Sequence, residues 1–307
     1  MAAATTEYEA VIGLEIHIQL RTKTKMFCGC ELSFGDEPNV HTCPICLGHP
    51  GVLPVTNELA VRYAIQIGLA LGCEIAPRSI FHRKNYFYPD NAKAYQISQY
   101  DIPICGAGRL GDIRIHRAHL EEDAAKLVHV SESGRIDGSG GGSSLVDFNR
   151  GGTPLVEIVT EPDVRSAAEA REWLQLLRGT IRSLGVSDVN MEEGSLRCDA
   201  NVAIRPLGSP ELGTKTELKN MNSFRFIEKG VEAELARQRE LVAYGGTVTQ
   251  ETLHFDPRSG TLTSLRSKEE AHDYRYFPEP DLVAVAPTEE MLETARAALP
   301  ELPQARL

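Results

Sequence analysis

Four cysteines carry the sharpest chemical signal in the sequence. Cys28-Gly29-Cys30 and Cys43-Pro44-Ile45-Cys46 form a CxC pair and a CPxC pair with twelve residues between them. Four thiolates at that spacing can close a tetrahedral shell around zinc. Gly48 follows the second pair, where a tight turn beneath a metal suits glycine. The alternative is a pair of disulfides in a secreted protein. Seven cysteines is an odd total, and Met1-Ala2-Ala3-Ala4 has neither the charged region nor the apolar run of an export signal, so a reduced, cytoplasmic chain is expected. A closed four-cysteine site is structural, and the reacting groups must be sought elsewhere.

The acidic groups are the next candidates. Glu15 and His17 are two apart in an alternating apolar stretch, so a strand would place both on one face, roughly 6–7 Å apart. A carboxylate beside an imidazole can hold a metal or share a proton. Glu121-Glu122-Asp123 ends a second strand, and Glu157 lies inside the apolar run 154–159. A buried carboxylate left unpaired costs several kcal/mol, so Glu157 needs a cation, a hydrogen-bond donor or a proton. Glu192-Glu193 precedes Arg197 and Asp199 on another polar strand face. Several carboxylates with a histidine suit a hard cation such as magnesium with phosphate; separate surface salt bridges are the other reading. Lys84, Tyr88 and Tyr95, with Arg275 late in the chain, offer aromatic faces and cations that could take a base and phosphate.

The elements that must position these groups read as strands and helices in no regular alternation. Strands are expected over 8–20, 113–130, 155–160, 195–204 and 214–218, the last two as hairpin neighbours. Helices are expected over 60–72, 166–185, 223–241 and 288–299. The second of these helices opens on a capping box, Ser166 to Glu169, and stops at Gly185. Residues 80–104 read as an ordered functional loop, and the glycine-serine stretch 134–144 as a mobile loop or hairpin tip. This pattern favours an α+β fold on a mainly antiparallel sheet.

The chain has 307 residues, 42% hydrophobic, and a net charge of −11. That charge argues against broad nucleic-acid binding without excluding a local basic face. No apolar run is long enough to span a bilayer. No GxSxG elbow, HExxH, dinucleotide fingerprint or Walker A motif occurs. Cys73, Cys105 and Cys198 sit alone in apolar stretches, as reduced core residues do.

Taken together, ordered segments across nearly the whole chain resemble the B subunit of the bacterial-type aspartyl/glutamyl-tRNA amidotransferase. They run from Val11-Ile-Gly-Leu-Glu-Ile-His-Ile-Gln-Leu20 and Lys25-Met-Phe-Cys-Gly-Cys30 through Arg83-Lys-Asn-Tyr-Phe-Tyr-Pro-Asp90 and His119-Leu-Glu-Glu-Asp123. They continue through Leu145-Val-Asp-Phe-Asn-Arg150, Met191-Glu-Glu-Gly-Ser-Leu-Arg-Cys-Asp-Ala-Asn201, Asn222-Ser-Phe-Arg-Phe226 and Asp273-Tyr-Arg-Tyr-Phe277. The resemblance implies a cradle-shaped catalytic domain over 1–298 with a zinc-knuckle insert at 26–50. A linker would begin at 299–307, leading to helical and tail domains that grip tRNA. It implies ATP-dependent phosphorylation of the side-chain carboxylate of Glu-tRNA(Gln) or Asp-tRNA(Asn), then amidation by ammonia. The ammonia would come from glutamine on an amidase-like A subunit, with a small C subunit and the cognate synthetase as further partners.

By position, the resemblance places Glu15, His17, Glu122 and Glu157 at a magnesium site and Cys28, Cys30, Cys43 and Cys46 at zinc. It places Lys93 near the exit of an ammonia channel and Asp199, Lys219 and Arg275 in substrate-binding motifs. Two rivals remain at this level: a non-catalytic zinc-knuckle RNA-binding module, and a free-standing metal-dependent hydrolase.

Overall fold

The computed structural model describes residues 7–131, 142–267 and 274–306. Most of the glycine-serine stretch, residues 134–141, and the motif residues 268–273 lie outside them. One eight-stranded sheet organises the fold. Its strands are β1 (Tyr8–Gln19), β4 (Gly108–Leu110), β5 (Ile113–Glu122), β8 (Pro154–Thr160), β9 (Leu196–Pro206), β10 (Thr216–Lys219), β11 (Glu251–Asp256) and β12 (Thr261–Ser267). They lie in the order β12-β11-β10-β9-β1-β8-β5-β4, and only β10 and β11 pair in parallel. Two smaller sheets join β2 (His82–Asn85) and β3 (Tyr95–Ser98) to β13 (Phe277–Pro278), and β6 (Lys126–Ser131) to β7 (Gly142–Asp147). The expected α+β class with a mainly antiparallel sheet holds.

Period-two geometry sorts the side chains of this sheet. On β1, Leu14, Ile16 and Ile18 are fully buried, while Glu15, His17 and Gln19 are only half-buried. Burying each of those aliphatic side chains contributes about 1.5–3 kcal/mol. The apolar side joins one core with Trp173, Leu174 and Leu177 of α2 (Ala167–Leu184) and Ile227 and Val231 of α3 (Phe224–Ala243). Trp173 also donates its indole N–H to the Leu110 carbonyl at 2.9 Å.

The helix ends explain why these segments start and stop. Ser166 caps α2 by accepting from the Glu169 N–H, and Gly185 closes it at φ +70°. Glu169 in turn accepts from the Arg165 N–H at 2.7 Å, one residue earlier than in the usual capping box. Ser223 and Thr288 cap α3 and α4 (Glu289–Ala297) in the same way. Cys73, Cys105 and Cys198 are buried free thiols. The region 80–104, read as a loop, contains two short strands, β2 and β3, around an irregular connection. Their brevity hides them from periodicity. No described helix is long and apolar enough to cross a membrane.

Candidate active site and metal centre

The polar side of the sheet is built by strand register. Across the middle of the sheet His119 lies opposite Glu157, Glu157 opposite His17, and His17 opposite Arg197. Glu121 is two residues beyond His119 on β5 and therefore shares its face. His17 Nε2 lies 3.4 Å from Glu121 Oε1 and 3.6 Å from Glu157 Oε2. His119 Nε2 lies 3.3 Å from Glu157 Oε2 and 3.8 Å from Glu121 Oε2. Ser98 on β3 donates its hydroxyl to Glu121 at 3.2 Å.

Both carboxylates and His119 are largely shielded from solvent. Burial works against the charge on His119, but Glu157 and Glu121 outweigh it and lift its pKa to about 9. Burial opposes the charge of Glu157 too, yet His119, His17 and Lys84 hold its carboxyl well below the usual range. Glu121 is likewise lowered against its burial, first by His119.

One ligand atom from each of His17, Glu121 and Glu157 can be chosen so that all lie within 4.8 Å of one another. Two carboxylates and an imidazole are an oxygen-rich donor set suited to a hard divalent cation. The two separations from His17 Nε2, 3.4 and 3.6 Å, are somewhat longer than the roughly 3 Å edge of an octahedron with ~2.1 Å metal–oxygen bonds. His119 Nδ1 is buried without a hydrogen-bond partner among the described residues.

Of the four residues expected at the magnesium site, the structure brings His17 and Glu157 together and adds Glu121. Glu122 lies elsewhere: adjacent residues of a strand project to opposite sides, and its carboxylate pairs with Lys93 and accepts from the Ile97 N–H. Glu15 shares the face but accepts from Asn201 Nδ2 at 2.8 Å. Sequence reasoning named Glu121 among the acidic candidates, but the resemblance pointed to Glu122 in its place, and His119 was not assigned to the cluster. The two-residue spacing from His119 to Glu121 was the available signal, but only the register shows which of the paired glutamates meets His17.

Cations and aromatic rings flank the cluster. The Lys84 ammonium lies 4.8 Å from the centre of the Tyr274 ring. Burial opposes its charge, yet Glu121, Tyr276 and Glu157 raise its pKa well above the ordinary lysine value. Burial and the two glutamates push Tyr276 up to about 12 despite Lys84. Arg197 is held by Asp123 at 3.0 Å, and Asp123 also accepts from Gln19 at 2.9 Å. Further along the face, Lys219 joins Asp199 at 2.7 Å and Glu217 at 3.0 Å. Tyr88 is exposed in the β2–β3 connection. Arg275, also exposed and at φ +44°, gives its carbonyl to Asn85 Nδ2 at 2.9 Å.

The four knuckle cysteines form the second cluster, with one sulfur from each within 4.8 Å of the others. Cys43 Sγ and Cys46 Sγ are 4.0 Å apart. The edge of a zinc tetrahedron with ~2.3 Å bonds is about 3.8 Å, so the donor set fits zinc. The hydrogen bond from Cys28 lowers Cys46 to about 4 against its burial, while burial and Cys43 push Cys30 up to about 11. The knuckle is docked from two sides. Asn57 caps α1 (Glu58–Ala70) and donates its backbone N–H to the Met26 carbonyl at 2.8 Å. Asn149 accepts from the His41 N–H at 2.8 Å and donates to the Glu37 carbonyl at 2.8 Å.

Between the knuckle and β3 lies a cavity of about 220 Å³ whose lining includes Cys46, Gly48, Arg83, Lys93, Tyr95 and Glu122. The Arg83 guanidinium stands 4.2 Å from the Tyr95 ring centre and is braced by Glu279 at 2.7 Å. Gly48 adopts φ +69°, and a Cβ there would collide with Lys93 Cγ. Gly48→Ala is therefore expected to destabilise the protein by about 1–3 kcal/mol without loss of zinc, read by thermal unfolding and metal analysis. Unchanged stability would show that Lys93 can yield.

The four-thiol knuckle and the cluster of His17, Glu121 and Glu157 give this α+β domain two groups of side chains that could each hold a metal ion. Residues 10–293 match the family described as the GatB/GatE catalytic domain, and the chain belongs to that family. It is 57% identical over 307 residues to the B subunit of the aspartyl/glutamyl-tRNA(Asn/Gln) amidotransferase of Geobacter sulfurreducens, covering 97% of this chain and 63% of that protein. It is also 57% identical to the protein of the same name from Brevibacillus brevis over 310 residues, and 56% identical to that of Geotalea daltonii over 309. In both, the matches cover 98% of this chain and 63% of the relative. The chain thus spans less than two thirds of the length of these relatives.

Proposed function

We propose that this chain is the catalytic part of the B subunit of a cytoplasmic aspartyl/glutamyl-tRNA(Asn/Gln) amidotransferase, with its catalytic domain over 1–298 and a linker from 299. The observation that carries the reading is the cluster of His17, Glu121 and Glu157 on the polar sheet face, flanked by Lys84 and Arg197. Phosphoryl transfer to a carboxylate brings two anions together, and catalysis consists mainly of screening and positioning them. A divalent cation such as magnesium, held by His17, Glu121 and Glu157, would supply that screening when bound.

The remaining work falls to the chain itself. Lys84 and Arg197 are placed to contact phosphate oxygens, and Asp123 fixes the Arg197 head. Tyr274 and Tyr276 offer aromatic faces beside Lys84 for a base or ribose. Asp199, Lys219 and Glu15 extend the polar face toward the rest of the substrate. The side-chain carboxylate of Glu-tRNA(Gln) or Asp-tRNA(Asn) attacks the γ-phosphorus of ATP and releases ADP. Ammonia then displaces phosphate from the acyl carbon and leaves the amide. Lys93, paired with Glu122 at the cavity beside the knuckle, suits the exit of a route for ammonia from the A subunit. Zinc in the four-cysteine knuckle would hold the wall of that cavity.

The test is transamidation with the A and C subunits, ATP, magnesium and Glu-tRNA, supplying either glutamine or ammonium. Formation of Gln-tRNA from both donors is expected. Failure with both, when a relative's full-length protein succeeds, would place the needed tRNA contacts beyond this chain. Glutaminase activity of the chain alone would overturn the division of labour.

A further inference from the structure

Lys25 is 1% exposed, the most completely buried lysine of the described residues. Its ammonium donates to the Phe148 carbonyl at 3.0 Å and lies 3.6 Å from Cys46 Sγ. No described carboxylate pairs with it. A buried ammonium costs several kcal/mol unless an opposite charge balances it, and a carbonyl dipole carries no net charge. Four neutral thiols would leave Lys25 uncompensated. Four thiolates around Zn²⁺ carry a net charge of −2, and one ammonium at 3.6 Å halves it.

We propose that Lys25 is the buried counter-charge of the zinc–thiolate centre, setting the zinc affinity of the knuckle through Cys46. The local fold is arranged to seat it. The Lys25 N–H donates to the Cys30 carbonyl at 3.0 Å, which fixes the backbone beside the first cysteine pair. Gly152, at φ +89°, leaves room for the stem: a Cβ there would stand 3.3 Å from Lys25 Cδ and 3.8 Å from Cys46 Cβ. Through the Phe148 carbonyl the same ammonium ties Cys46 to the segment that follows β7. An ammonium at a thiolate lowers the electron density that the sulfur offers to protons and electrophiles, and so slows the step that opens a zinc site.

The inference rests on the zinc reading, and the experiment separates the two. Zinc content of the unaltered protein comes first, and less than stoichiometric zinc after zinc-replete expression overturns the reading and the inference together. The zinc-loaded protein and Lys25→Met are then compared by transfer of zinc to a chromogenic chelator and by thermal unfolding with and without zinc. Lys25→Met is expected to release zinc at least ten-fold faster and to lose stability in the zinc form. In the zinc-free form the loss of stability should be smaller, because the ammonium then faces at most the Cys46 thiolate and not the full charge of a four-thiolate centre.

Equal loss of stability in both forms, or an unchanged release rate, would assign Lys25 to packing and overturn the inference. If Lys25→Met does not fold, alkylation of the zinc-loaded parent decides the matter. The compensated Cys46 should be the last of the four sulfurs to react, and Cys46 reacting first would overturn the proposal.

Discussion

Replacing Cys43 with Ser is expected to lower zinc content and stability together. The four sulfurs sit at distances that suit one zinc ion, and a hydroxyl in place of a thiolate removes one of four bonds. Structural zinc binding is worth about 10–16 kcal/mol in zinc-finger peptides, so a lost ligand should far exceed an ordinary core substitution. The consequence should be local first. Most of the main sheet's core, with Ile16, Ile18, Leu177 and Ile227 fully buried, lies outside the knuckle segment, which adds Met26 and Phe27 at its edge. What depends on the knuckle is the cavity wall, where Gly48 packs against Lys93, and the segment around Asn149 that receives the knuckle. Hydrogen exchange should therefore rise across 26–50 and 148–152 by the equivalent of at least about 3 kcal/mol, with β1 and β9 protected as before. A serine variant that kept a full equivalent of zinc would remove Cys43 from the ligand set.

The knuckle was legible in the sequence because thiol spacing is short-range information. So was β1, whose strict alternation from Leu14 to Gln19 survives in the burial of every second side chain. The helix over 167–184 was marked at both ends by Ser166 and Gly185, and capping is a local interaction. What escaped notice depended on long-range pairing. Strands β11 and β12 do not announce themselves, because their hairpin joins the sheet edge through the parallel pairing of β10 with β11. Likewise the sequence shows Glu121 and Glu122 side by side but cannot say which one meets His17 on a strand more than a hundred residues earlier. The one-residue register of β5 on β8 decides that, and a slip of one position would exchange their roles. Lys25 was hidden for a different reason: lysine is mostly exposed, and nothing local shows that its head is buried against Cys46.

That register makes the Glu121 and Glu122 variants a sharp pair. Glu121→Gln removes a charged donor from the set with His17 and Glu157, and leaves His119 facing one carboxylate instead of two. Metal-dependent ATP cleavage by the assembled enzyme is expected to fall on the order of 10²–10³-fold, since a lost charge at a phosphoryl-transfer site is worth about 3–4 kcal/mol. Binding of Mn²⁺ as a reporter ion should weaken in parallel, with zinc content unchanged. Glu157→Gln should behave alike. Glu122→Gln acts on the other side of the strand: it leaves the cluster intact but deprives Lys93 of its partner at the cavity. It should retain Mn²⁺ binding and ATP cleavage while losing more product with glutamine than with ammonium, because the defect lies in delivery of nitrogen. If instead Glu122→Gln lost the metal and Glu121→Gln kept it, the register-based assignment would fail and Glu122 would return to the metal site. If both variants lost it, the two carboxylates would be acting through a shared movement of the β5 end over β3, where Ser98 and the Ile97 N–H hold one each.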